Sequence, residues 1–110
     1  MGKAQRDKGA RFEREIVNKL KDQLIPAERV PLSGACGGKF KDDIYAEIPS
    51  LKEEQWSFEC KKRGDGFKQI YDWIDGSDGL FISADRKETL VVLSFNQFCR
   101  LARGKLNAGS

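Results

Sequence analysis

Residues 56–63, Trp-Ser-Phe-Glu-Cys-Lys-Lys-Arg, alternate in polarity with a period of two. That period predicts a strand, with Trp56, Phe58 and Cys60 on one face and Ser57, Glu59 and Lys61 on the other. A carboxylate and an ammonium two residues apart then point the same way, so a metal on Glu59 and a phosphate near Lys61 fit one pocket. An E-x-K pair also arises on any solvated amphipathic strand, where it is worth little. The neighbouring segments decide between the two.

Residues 10–24 predict an amphipathic helix with Phe12, Ile16, Val17, Leu20 and Leu24 as its stripe. On a wheel of 3.6 residues per turn this stripe spans roughly 140°. Glu13 is the only charged residue inside that arc. A carboxylate aimed at a core needs a cation, and a metal or a buried arginine would serve equally. Pro26 is expected to end the helix, and residues 29–33 read as a short extended segment that Pro31 makes an edge strand or the end of a strand. The loop Gly34-Ala35-Cys36-Gly37-Gly38-Lys39 lacks phosphate-loop spacing and opens no helix, so no nucleotide cofactor is expected. It is either a plain connector or a close approach to a nucleic-acid strand.

Asp42-Asp43 opens a second strand, where Ile44, Ala46 and Ile48 alternate with Asp43, Tyr45 and Glu47. Pro49 to Glu54 reads as a charged turn leading into the 56–63 strand. Asp43 and Glu59 then sit on neighbouring strands, each opposite the apolar set, and Asp42 competes with Asp43 so near a strand start. With Glu13 they make an all-oxygen donor set of the kind Mg²⁺ prefers, and Mn²⁺ is expected to substitute. One or two such ions would polarise a phosphodiester and activate water, with Lys61 holding that water or countering charge on the phosphorane.

Histidine is absent among the 110 residues, which removes the commonest general base and Ser–His chemistry. Three scattered cysteines, Cys36, Cys60 and Cys99, suggest neither a disulfide framework nor a zinc site; Cys60 and Cys99 read as core residues. Net charge is only +3, but the bases cluster. Lys3, Arg6, Lys8, Arg11 and Arg14 come early, Lys39 and Lys41 flank the glycine loop, and Lys61, Lys62 and Arg63 end the key strand. Such clusters suit a polyanion as well as a solvated face. Arg11, Arg14, Arg29, Lys39, Lys41, Lys62 and Arg63 are the candidate DNA contacts. No apolar run approaches a membrane span and no signal-peptide pattern is present, so no membrane partner and a cytoplasmic protein are expected.

The rest of the chain predicts a helix with Asp65 as N-cap and Phe67, Ile70, Tyr71 and Ile74 as its stripe. Trp73 lies off that stripe as a candidate partner contact. Leu80-Phe81-Ile82 and Leu90-Val91-Val92-Leu93 read as strands buried on both faces, joined by the polar hairpin 85–88. Ser94 to Gln97 is a capping box that opens a last helix through about Arg103. The expected architecture is one α/β domain over 1–110, ordered α-β-β-β-α-β-β-α around a single mixed sheet, with ends 1–6 and 104–110 frayed.

Lys8-Gly9-Ala10-Arg11-Phe12-Glu13-Arg14-Glu15, then Arg29-x-Pro31-x-Ser33-Gly34, Asp43-Ile44 and Phe58-Glu59-Cys60-Lys61 together resemble the archaeal-type Holliday junction resolvases and their phage relatives. These belong to the PD-(D/E)xK nuclease superfamily, and the likeness covers about residues 8 to 75. It implies a restriction-endonuclease-like core, Glu13, Asp43 and Glu59 as metal-site acids, and Lys61 as catalytic lysine. It further implies Ser33 as an active-site group, Arg14 and Arg29 against DNA, and a homodimer on four-way junctions in a prokaryotic or phage-infected cell, nucleoid-associated. Where the family pattern has proline before the aspartate, this chain has Asp42. Three other readings remain: a nuclease or nickase for other DNA structures (restriction-type enzymes included), a DNA-binding module of this fold without catalysis, and a scaffold whose Glu–Lys strand is only surface.

Overall fold

A computed structural model describes residues 3–30 and 42–104. Helix α1 (Lys3–Asp22) is followed by β1 (Ala27–Arg29), β2 (Ile44–Ile48), a single 3₁₀ turn (Pro49–Leu51) and β3 (Glu54–Phe58). Then come α2 (Lys68–Ile74), β4 (Gly79–Ile82), β5 (Leu90–Leu93) and α3 (Phe95–Arg103). The predicted order of elements is the observed one. The chain divides into two compact units, one running to Lys62 and resuming at Ala102, the other Arg63–Leu101.

In the first unit β1, β2 and β3 form an antiparallel sheet with β2 in the centre. β2 alternates as its sequence predicts: Ile44, Ala46 and Ile48 are buried, and Tyr45 and Glu47 are half-buried. The register sets Ala27 opposite Ala46 and Arg29 opposite Ile44, so these four share the apolar face. α1 packs on β1, and its Val17 and Leu20 join Ile25, Ala27 and the β2 residues in the core.

α1 begins at Lys3, well before the expected residue 10. Its first turns carry no apolar stripe to read, but lysine, alanine, glutamine and arginine are good helix formers. Its end also differs. The Ile25 N–H donates to the Leu20 carbonyl at 3.0 Å and the Leu24 N–H to the Lys21 carbonyl at 2.9 Å, with Leu24 left-handed at φ +66°. This pair of bonds is a Schellman ending. It turns Leu24 out to 70% exposure while Ile25, at 0%, takes the core place assigned to Leu24.

β3 runs from Glu54 to Phe58, not from Trp56 to Arg63. Its partner stops at Ile44, which faces Phe58. One step beyond, the Asp43 N–H still donates to the Phe58 carbonyl at 3.0 Å, but the Cys60 N–H goes to Asp43 Oδ2 at 2.8 Å. A side-chain carboxylate takes the next amide, and regular pairing ends. Trp56, counted with the apolar face, is 40% exposed on this edge strand.

In the second unit β4 and β5 form their own antiparallel hairpin. Two separate antiparallel sheets therefore replace the expected single mixed sheet. The expectation rested on two continuous apolar runs, which do not distinguish burial on both faces from an uncovered face. Phe81 and Val91, paired across the hairpin, are 76% and 55% exposed. α2 packs on β4. Phe67, not Asp65, stands at its N-cap with no side-chain cap, and Tyr71 turns outward from the predicted stripe while Ile70 and Ile74 are half-buried. Trp73 is exposed. The Gln97 N–H donates to Ser94 Oγ at 3.2 Å, so Ser94 caps α3 as its sequence predicts. No helix among the described residues is long and apolar enough to cross a membrane.

Candidate active site

The acids nominated by sequence come from three elements of the first unit. Glu13 lies on α1, Asp43 one residue before β2, and Glu59 one residue after β3. Continuing the β2–β3 register by one step sets Asp43 opposite Glu59. The backbone holds Asp43 firmly. Its carbonyl accepts the Val30 N–H at 2.9 Å, its N–H donates to Phe58, and its carboxylate accepts the Cys60 N–H.

Cys60 lies in the field of these acids. Its thiol is pushed up to about 11, first by burial, then by the negative charge of Asp43, Glu13 and Glu59 in that order. Three carboxylates thus bear on one sulfur. Asp42 is not among them; its Oδ2 accepts the Ser57 hydroxyl at 2.6 Å. Sequence placed Cys60 on the core face, away from Glu59. The strand's early end brings it among the acids instead, and strand periodicity carries no signal of that.

Two of the acids already hold a cation of the chain. Arg29 Nε donates to Glu13 Oε1 at 3.1 Å, with the side chains 27% and 15% exposed. The core-facing carboxylate predicted on α1 has therefore found an arginine. Lys61 Nζ lies 3.3 Å from Glu59 Oε2, although both residues follow the end of β3, with 62% and 51% of the side chains exposed. So open a pair contributes little to stability.

The neighbouring bases diverge. Lys62 Nζ stands 5.5 Å from the centroid of the Phe12 ring. Arg11 and Arg14 are exposed on α1. Arg63 belongs to the second unit, where its guanidinium lies 5.9 Å from the Phe67 ring. Ser33, Lys39 and Lys41, like Pro31 and the rest of the glycine loop, lie outside the described residues.

The donor chemistry suits a hard divalent cation. The acids offer only oxygen, the chain has no histidine, and the one sulfur among them stays protonated at neutral pH. Among the described residues no three Asp, Glu or Cys side chains stand arranged to hold a metal ion. Each of the two ion pairs engages one oxygen of its carboxylate, Oε1 of Glu13 and Oε2 of Glu59.

Residues 4–76 match a family model described as "Phage putative PDDEXK endonuclease". The matched span contains all of α1 but its first residue, the three-stranded sheet, every candidate acid and Lys61. No curated protein and no solved structure matches the chain.

Proposed function

Because the chain belongs to the phage PDDEXK endonuclease family, we propose that it is a metal-dependent, structure-selective endonuclease that hydrolyses phosphodiesters at four-way DNA junctions as a homodimer. The observation that carries the chemistry is the placement of Asp43 opposite Glu59 at the end of the β2–β3 register, with Lys61 Nζ 3.3 Å from Glu59. Glu13, Asp43 and Glu59 would hold Mg²⁺ or Mn²⁺. Such an ion, when bound, supplies a Lewis acid for the phosphoryl oxygen and a more acidic water.

The chain's own groups do the remainder. Lys61 brings a compact charge to the phosphate oxygen that gains charge in the transition state. Ser33 is an active-site group in this reading. Arg11, Arg14, Arg29, Lys39, Lys41, Lys62 and Arg63 bind backbone phosphates, which positions DNA without reading its sequence. Junction selectivity rests on the likeness to junction resolvases in residues 8 to 75, and the protein would work in the cytoplasm of a prokaryotic or phage-infected cell. The family description names an endonuclease without a junction, which favours cleavage of other DNA structures as the second reading.

The deciding experiment incubates the protein with a synthetic four-way junction, a linear duplex and a single strand, each with Mg²⁺, Ca²⁺ or EDTA. Paired symmetric cuts in the junction with Mg²⁺ alone are expected. Equal cutting of linear duplex selects the second reading, and no cutting of any DNA overturns both. Asp43→Asn and Glu59→Gln are expected to abolish cleavage with DNA affinity equal or higher, since each removes ligand charge and leaves the core intact.

A further inference from the structure

Regular pairing between β2 and β3 stops at Ile44 and Phe58, so Asp43 and Glu59 stand one step past the last rung of the ladder. Strand ends open more easily than strand middles, yet the proposed chemistry needs these two acids in fixed positions. Two hydrogen bonds to aspartate side chains brace this end of the sheet. The Cys60 N–H donates to Asp43 Oδ2 at 2.8 Å, from the residue that follows Glu59. The Ser57 hydroxyl donates to Asp42 Oδ2 at 2.6 Å, reaching the residue that precedes Asp43. We propose that Asp42 and Ser57 are positioning residues whose bond holds Asp43 opposite Glu59, and that Asp43 alone of the two adjacent aspartates is a site acid. The inference rests on reading the site as a phosphodiesterase, and it divides the labour within that site.

The register explains why this bond acts on the acids. Ser57 lies inside the ladder, opposite Tyr45. Continued two steps past its last pair, the same register sets Asp42 opposite Cys60. The Ser57–Asp42 bond therefore runs diagonally across the rungs of Phe58 and Glu59, and the Cys60–Asp43 bond closes their outer side. Its length is that of a hydroxyl donating to a carboxylate, about 2.5–2.7 Å. Ser57 is exposed, so loss of the bond leaves the fold nearly as stable while it loosens the residue before Asp43. Asp43 shares the field at the Cys60 thiol with Glu13 and Glu59, and Asp42 does not.

The test pairs single-turnover cleavage of a synthetic junction and a linear duplex, at saturating Mg²⁺ and DNA, with amide hydrogen exchange of the DNA-free protein. A displacement of about 1 Å at a reacting centre costs on the order of a hundredfold in rate, so the partial loosening in Ser57→Ala is expected to cost about tenfold, with DNA affinity unchanged. In the same variant the Cys60 amide is expected to exchange several-fold faster. The Glu47 amide, bonded to the Pro26 carbonyl at 2.8 Å, keeps its wild-type exchange. Ser57→Thr retains the hydroxyl and restores both readings. Asp42→Asn retains an acceptor oxygen, so it loses no more than Ser57→Ala and adds no further loss when combined with it. Cleavage abolished by Asp42→Asn overturns the assignment, for Asp42 is then itself a site acid. Wild-type rate and wild-type Cys60 exchange in Ser57→Ala overturn the brace. Absence of cleavage by the unaltered protein on every DNA overturns the nuclease reading instead, and Cys60 exchange still decides whether the bond holds Asp43.

Discussion

Lys61 and Lys62 are neighbours in sequence and face different partners. The first stands beside Glu59 and the second over the Phe12 ring. Lys61 is therefore the lysine seen in contact with one of the acids. Lys61→Ala is expected to lower the cleavage rate at saturating DNA by roughly two or more orders of magnitude, as loss of a transition-state charge partner does. Lys62→Ala is expected to weaken DNA binding with little change in that rate. Single-turnover kinetics on both variants checks this, and equal rate losses would place both lysines in one role.

Cys60 offers a readout of the acids that needs no substrate. With its thiol near 11 against an ordinary 9.0, the thiolate fraction at pH 8 is about a hundredfold below that of the unfolded chain. Iodoacetamide labelling followed by peptide mapping should show Cys60 protected by that order in the native protein, and Asp43→Asn should speed its labelling. The sign for stability follows from the same shift. Below pH 9 both states hold the proton and the group has no effect; as pH rises towards 11 the folded state binds more protons, so stability falls.

Among the elements, the end of α1 is the clearest case of an avoidable cost. Leu24 occupies the left-handed C′ position, where a Cβ is unfavourable, and it is 70% exposed, so its side chain returns little in packing. Leu24→Gly is expected to stabilise the protein by about 1 kcal/mol in chemical denaturation, since glycine carries no such penalty. A destabilised variant would mean that the exposed leucine has a partner whose contact outweighs its backbone strain. The turn after α2 already has the residue its geometry requires. Ser77 N–H donates to the Ile74 carbonyl at 2.9 Å, and Gly76 sits at φ +80°, the third position of a type II turn.

For the whole molecule, the proposed reaction asks for two cuts on opposing strands, which a two-fold dimer supplies through two sites related by the symmetry of the DNA. The second unit has apolar surface for such an association: Trp73 on α2, and Phe81 with Val91 across the hairpin. Sedimentation of the DNA-free protein is expected to show a dimer, which Phe81→Ser with Val91→Ser shifts towards monomer. Junction affinity is expected to fall steeply with salt, by nearly one logarithmic unit per tenfold salt for each phosphate neutralised. A monomer at micromolar concentration, with equal affinity for junction and duplex, would leave a general endonuclease of the same family.

Much of this was legible in the residues themselves. The order of elements, the alternation of β2 and the Ser94 cap follow from periodicity and local chemistry, which act over a few residues; Glu59 and Lys61 do meet, but beyond the end of the strand whose period predicted it. Glu13 was legible as a misplaced charge, but not as the partner of Arg29, because that choice is made across 16 positions of sequence. The tertiary structure also decided where β3 ends, since Asp43 captures the Cys60 amide only once β2 lies beside it. It decided, too, that the predicted hairpin of the apolar runs 80–82 and 90–93 forms a sheet separate from β1, β2 and β3. Sheet membership and the partner of a carboxylate are settled by which distant groups arrive within a few ångströms, and no local period encodes that.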